Sequence, residues 1–194
     1  MTDIAIIQGH PAPEKVHLCH ALANAYADGA EANGHTVTRI DVADLEFPLL
    51  RSASDWQAGK EATPAGVRDA QAACLSADHI VLLYPLWLGT LPALLKGFLE
   101  QAFRPGVALS DGDGFPRGLM KGKSARVIVT MGMPALAYRF YFGAHSLKSL
   151  QRNILGFVGI NPIRNTIFGM VENVSAHRRD LWLKKMHRLG AQAR

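Results

Sequence analysis

The sequence is sparing with cysteine and holds no long apolar run. Cys19 and Cys74 are the only cysteines in 194 residues. Both fall in helix-like patterns, so a disulfide framework is excluded and two buried, reduced thiols suited to a reducing cytosol are expected. Hydrophobic residues make up 48% of the chain, yet no stretch approaches the roughly 20 apolar residues of a membrane span. The opening MTDIAIIQGH carries an acid where a secretion signal would carry base, and it runs directly into a strand pattern. No signal peptide is expected, and a cytoplasmic location follows. A G-x-S-x-G nucleophile elbow is missing, so hydrolase chemistry has no support. The G-x-G-x-x-G fingerprint of a dinucleotide-binding turn is missing too. Repeats and low-complexity segments are absent.

Charge is modest and positive. The net value is +5, from 21 basic and 16 acidic residues, with much of the excess in HRRDLWLKKMHRLGAQAR. These bases are scattered along one helical pattern without an aromatic platform. They read as a solvated helix face and not as a nucleic-acid surface, although the charge would attract a phosphate-bearing cofactor.

What is present is an alternating rhythm. DIAIIQ (3–8), TVTRIDV (36–42), DHIVLLY (78–84), ARVIVTM (125–131) and PIRNTIFG (162–169) read as strands. Helices are expected over 17–35, with Gly34 as its stop, over 64–77, with Thr63 as N-cap and Pro64 as first residue, and over 91–103. Two more are expected over 146–159, with Leu147, Leu150, Ile154 and Phe157 on one side, and over 175–190, opened by Ser175 and closed by Gly190. Residues 43–63 read as irregular. Consecutive parallel strands need right-handed helical crossovers, so the fold class is α/β, an open parallel five-stranded sheet with helices on both faces, in one domain over 1–194. The missing glycine fingerprint favours the flavodoxin-like order 2-1-3-4-5 over the Rossmann order.

In such a sheet the ligand lies beyond the carboxyl ends of the strands, at the switch point between the first and third. Three loops meet there: GHPAPEKVH (9–17), PLWLGTLP (85–92) and MGMPALAYRFYFGAH (131–145). The first is stiffened by proline and leads into a helix N-terminus, which suits an anion. The second sets Trp87 beside Gly89, where a flat ring could approach the backbone. The third carries Tyr138, Phe140, Tyr141 and Phe142 ahead of His145. One phosphate and one planar ring in a shared pocket describe FMN or FAD. His17 and His20 stand one helical turn apart, but no Cys or carboxylate completes a metal set. Asp111 and Asp113, in SDGDGF, resemble a turn more than a calcium loop.

PLWLGTLPALLKGFLEQAF, together with GHPAP and VTMGMP…GAH, resembles the NAD(P)H:quinone oxidoreductase family over most of residues 3–170. These are flavodoxin-like flavoproteins, and they include ancillary subunits of potassium efflux systems. The resemblance implies an oxidoreductase that passes a hydride from NADPH or NADH, through N5 of FMN or FAD, to a quinone or similar flat acceptor. It implies a homodimer. An alternative is a non-catalytic flavin-binding subunit docked on a membrane transporter.

By the same resemblance, His10 matches the phosphate-loop histidine. The family's hydroxyl donors are replaced by Glu14, Lys15, Val16 and His17. Lys15 would supply charge, while backbone N–H groups of Val16 and His17 would cradle the phosphate. Pro85, Leu86, Trp87, Leu88 and Gly89 match the flavin-edge segment. Thr130, Met131, Gly132 and Met133 match the segment after the fourth strand, with Met133 where Gly is common. His145 matches a catalytic histidine that stabilises charge on the reduced flavin. Arg139 stands where its partner Tyr would be, which leaves Tyr138 or Tyr141 for that role. Val107 and Leu109 replace aromatic residues that line the acceptor slot, so a wider or differently shaped slot is expected.

Overall fold

Five β-strands form one parallel sheet in a computed structural model that describes residues 1–111 and 114–194. They are β1 (Asp3–Gln8), β2 (Thr36–Asp41), β3 (His79–Pro85), β4 (Ser124–Thr130) and β5 (Ile163–Phe168). Their order is β2-β1-β3-β4-β5, the flavodoxin-like order expected from the sequence, and every pairing is parallel. Asp113 lies outside the described residues, and with it the reading of SDGDGF as a turn.

Alternation along the central strands builds two cores. Ala5, Ile7, Ile80, Leu82, Tyr84, Val127 and Val129 pack beneath α3 (Ala65–Ser76), α4 (Ala93–Ala102) and α5 (His145–Ser149). Ile4, Ile6, Val81, Leu83 and Ile128 pack beneath α1 (Leu18–Glu31) and α6 (Ala176–Ala191). A strand covered on both faces must be apolar at every position, which is why HIVLLY reads as an unbroken run. Both cysteines are free and buried. Among the described residues no helix is long and apolar enough to cross a membrane.

Four local expectations are corrected. Residues 43–63 are not wholly irregular, since α2 (Ala53–Gln57) forms within them, started by a capping box between Ser52 and Asp55. Five residues with no buried side chain leave no apolar period to read. Thr63 does not cap α3. Its hydroxyl accepts from the Gln71 amide at 3.3 Å, and Pro64 occupies the N-cap. The helix over 146–159 changes character at Leu150, where a π-helical segment (Leu150–Leu155) follows α5. A wider turn rotates the apolar stripe. Leu155 enters the core with Leu147 and Leu150, while Phe157 stays at the surface against Phe115. Ser175 does open α6, accepting from the Arg178 N–H.

The fourth correction concerns Gly190, which does not close α6. The helix continues to Ala191, and Gly190 is where its backbone meets α1. A Cβ at Gly190 would lie 1.9 Å from the Tyr26 carbonyl oxygen, and one at Gly29 would lie 2.0 Å from that of His187. The two helices touch backbone to backbone through this pair of glycines. Gly190→Ala is therefore expected to force the helices apart and destabilise the fold by about 1–3 kcal/mol. Thermal unfolding followed by circular dichroism should show a midpoint lowered by about 3–10 °C. An unchanged midpoint would mean that the seam has slack.

Candidate functional site

The first loop lies flat on the sheet. The Gly9 N–H donates to the Leu83 carbonyl at 2.7 Å, and the His10 N–H to Gln8 Oε1 at 3.0 Å. His10 is buried, its Nδ1 accepting from the Ala12 N–H at 3.2 Å. Its ring stacks on His17, the N-cap of α1, with centroids 4.0 Å apart. Burial first, then the neighbouring His17 and His20, lower the His10 pKa to about 4. Val16 is exposed. Lys15 does not reach into this group freely: its Nζ lies 2.7 Å from Asp41 and 3.1 Å from Asp44. These two hydrogen bonds raise its pKa. The charge expected to meet a phosphate is held by two carboxylates.

The second loop is a tight hairpin. Trp87 and Thr90 exchange both backbone hydrogen bonds, at 2.9 and 3.0 Å, around Leu88 and Gly89. Both central residues have positive φ, 45° and 78°. That suits Gly89, but it is strained for leucine. Leu88 is fully exposed and Trp87 is 51% exposed. An apolar side chain held out to solvent on a strained backbone is a mark of a contact surface. Trp87 meets His10 edge-on with centroids 6.1 Å apart, which joins the second loop to the first.

The third loop leaves β4 beside the second. The Leu86 N–H donates to the Thr130 carbonyl at 2.8 Å, and Thr130 Oγ1 lies 3.1 Å from Cys19 Sγ on α1. Met131 is buried and bonds β5 through the Phe168 carbonyl. Met133 is half-buried against the core, and Gly132 faces the Glu172 carboxylate. Tyr138 is buried, with its hydroxyl 2.7 Å from Ser146 Oγ and accepting from the Leu147 N–H at 3.2 Å. That hydroxyl anchors the start of α5. Phe140 and Tyr141 are more than three-quarters exposed. His145 is the first residue of α5, and its ring lies over Gly143, where a Cβ would come within 2.6 Å of Nε2.

His145 and Trp87 both line a cleft of about 660 Å³, which Lys96, Ser146 and Ser149 also line. The arrangement fits a flavin. The exposed hairpin offers an apolar platform with open space above Gly89, while His10 and His17 stand beside it at the start of α1. The structure thus brings together His10, His17, Trp87, Thr130 and His145 with their loops, and turns Lys15 and Tyr138 to neighbouring tasks. Sequence reasoning missed Ser149 and Lys96 as cleft residues. It noticed His20 only as a metal candidate, and no group of three or more such ligands among the described residues is placed to hold a metal ion.

A family model described as flavodoxin-like fold matches residues 2–189. The chain is 29% identical over 174 residues to an uncharacterized NAD(P)H oxidoreductase of Haemophilus influenzae, covering 89% of this chain and 84% of that one. It is 28% identical over 166 residues to an FMN-dependent NADH:quinone oxidoreductase of Jannaschia, covering 76% and 84%. The solved NAD(P)H:quinone oxidoreductase of Methanothermobacter marburgensis superposes with a TM-score of 0.84 at 20% identity, over 100% of this chain and 99% of that one. At that identity the likeness is one of fold.

The Cys19–Thr130 contact ties α1 to β4 beneath the loops. Burial pushes the Cys19 thiol up to about 11 and the Cys74 thiol up to about 12. Only the thiolate is nucleophilic. In the native protein at pH 8 neither thiol should react with Ellman's reagent, and in guanidinium both should. Rapid labelling of Cys19 in the native protein would show that α1 opens from β4.

Proposed function

The chain belongs to the flavodoxin-like fold family, and on that footing we propose that it is a flavin-dependent NAD(P)H oxidoreductase acting on a quinone or similar flat acceptor. The observation that carries this reading is the strained, exposed hairpin at Trp87–Thr90, set between His10 and a cleft that ends at His145. The names of the two relatives support it, one an NAD(P)H oxidoreductase and one an FMN-dependent NADH:quinone oxidoreductase. The second name favours FMN over FAD. The reading as a non-catalytic transporter subunit finds no support in either name.

When bound, the flavin supplies the hydride chemistry at its N5, and the protein supplies position and electrostatics. The N–H groups of Val16 and His17, at the start of α1, would receive the phosphate. The backbone from Pro85 to Gly89, including Leu86 and Leu88, and that from Thr130 to Met133 would hold the ring. Nicotinamide nucleotide and acceptor would occupy the cleft in turn, a ping-pong cycle. His145 would donate a hydrogen bond to the bound ring and so stabilise negative charge on it. Tyr138 would act through α5, keeping His145 in place.

Assembly follows from exposure. Leu136, Phe140 and Tyr141, all in the third loop, are left open to water, as is Leu88 in the second. A patch of that kind marks an interface. A two-fold dimer would cover it and wall the open side of the cleft. The two buried, free thiols suit a cytoplasmic location.

The purified chain should be yellow, and NADH or NADPH should bleach it. His145→Ala should keep the colour and slow flavin reduction about 10–100-fold, the scale of one lost charge-assisted donor. Stopped-flow absorbance of the reductive half-reaction measures this, and a wild-type rate would make His145 only the first residue of a helix. Sedimentation at micromolar concentration should show a dimer that Tyr141→Arg dissociates. A monomeric wild type would overturn the assembly.

A further inference from the structure

A groove between two helices leads away from the cleft and from the carboxyl edge of the sheet. Along α4 its wall is built by Pro92, Lys96, Leu99 and Phe103. The other wall lies on α5 and on the π-helical segment and turn that follow it, and is built by Ser146, Leu150, Ile154 and Val158. Both sets recur every three or four residues, so each is one face of a helix. From Pro92 to Phe103 α4 rises about 16 Å. Lys96 and Ile154 line both the cleft of about 660 Å³, with Trp87 and His145, and a second recess of about 200 Å³. The two cavities are parts of one groove.

The recess differs from the cleft in chemistry. Its floor is the core itself, since Leu99, Phe103, Leu109 and Val158 are buried members of the larger apolar cluster. Trp56 and Phe157 line it from nearer the surface. Trp56 is brought there by α2, a helix that buries no side chain of its own. The buried Arg104 holds α2 in place, its guanidinium donating to the Asp55 carbonyl at 2.8 Å. Among the described residues that line the recess the only charges are Lys96 and Glu100, and they pair with each other. A phosphate, carboxylate or ammonium would find no partner there. Cores are packed nearly solid, so an opening floored by core side chains forfeits contacts that a hydrocarbon would restore. Pockets for whole ligands begin at about 300 Å³, and a recess of about 200 Å³ suits a short side chain better than a second ring system.

We propose that this recess takes a hydrocarbon side chain carried by the acceptor ring, so that the preferred acceptor is a quinone with an isoprenoid or alkyl substituent. The proposal rests on the reading of the protein as a flavin-dependent quinone reductase. With the acceptor ring in the cleft beside Trp87 and His145, a substituent has a continuous path along α4, past Lys96 and Ile154, into the recess. The Lys96 stem offers methylenes on the way, while its ammonium stays on Glu100. The nicotinamide nucleotide, which uses the same cleft in turn, carries phosphates and gains nothing from an uncharged recess. The groove thus separates two substrates that share one cleft: it strengthens binding of the acceptor without strengthening that of the hydride donor.

Steady-state kinetics of the flavin-loaded protein test this, with NADH or NADPH as donor. The acceptors are benzoquinones of one ring pattern that carry, at a single position, a methyl group or one, two or three isoprene units. From the methyl compound to that with two units kcat/KM should rise about tenfold, the gain that full burial of about two methylenes supplies. The third unit should add little, because the recess is then full. The gain should lie in KM with kcat level, since the contact is remote from the reacting ring. Trp56→Ser removes one wall of the recess and should bring the ratio between the two-unit and methyl compounds to about twofold or less. Asn153→Trp, at an exposed position of the recess, fills it and should do the same, and it serves where Trp56→Ser fails to fold. A wild-type ratio near one, or a ratio that both variants leave unchanged, overturns the recess as a side-chain site and leaves the quinone reading standing. Absence of quinone reduction at every side-chain length overturns the two together.

Discussion

The register of the parallel sheet governs everything built above it. A sheet covered on both faces leaves one edge for polar chemistry, the carboxyl ends of its strands. Here the strand ladders continue past the strands into the loops. Leu83 receives the Gly9 N–H, Thr130 receives that of Leu86, and Phe168 receives that of Met131, all at 2.7–2.9 Å. Each loop is thus pinned to its neighbour as it leaves the sheet. Gly9 allows the closest of these approaches, because a Cβ there would press on the Leu95 side chain and on the Leu83 carbonyl at 3.0 Å. The site is shaped by backbone first, and side chains are added to a frame already fixed.

Electrostatics at this edge run against the overall charge. The chain is basic, with a net +5, but the lysine nearest the first loop is paired with two acids and the histidines beside it are poorly hydrated. Positive charge is therefore not stored at the site in advance. The other end of the site is organised by hydrogen bonds. Tyr138 fixes Ser146 and Leu147, and Gly143 leaves room for the His145 ring.

The strands, their order and the three loops were legible because they rest on period and length. DIAIIQ and HIVLLY can only be buried strands, and PLWLGTLP follows one of them directly. The rest depended on contacts distant in sequence. Nothing in GHPAPEKVH shows that Lys15 has partners at Asp41 and Asp44. Tyr138 was legible as an aromatic near the site, but its hydroxyl meets a helix start that forms eight residues later. The widening of the helix at Leu150 leaves no mark in composition, and it moved Phe157 out of the stripe that a regular helix would give. Gly190 carried the ordinary signal of a helix end, and close packing against Tyr26 overrode it.

That seam between the first and last helices has a consequence for how the protein comes into being. α1 covers one face of β1 and β3, and α6 lies beside it on the same face. Contacts between elements so far apart in the chain close late, because a long loop must be brought round before they form. During synthesis α1 therefore waits, with Leu22 and Tyr26 lacking part of their cover, until the far end of the sheet has been made. The helix that follows the first loop is made well before α6, yet its seat is complete only when α6 arrives. A chain halted after β5 would hold every loop of the site above a sheet with one side half bare.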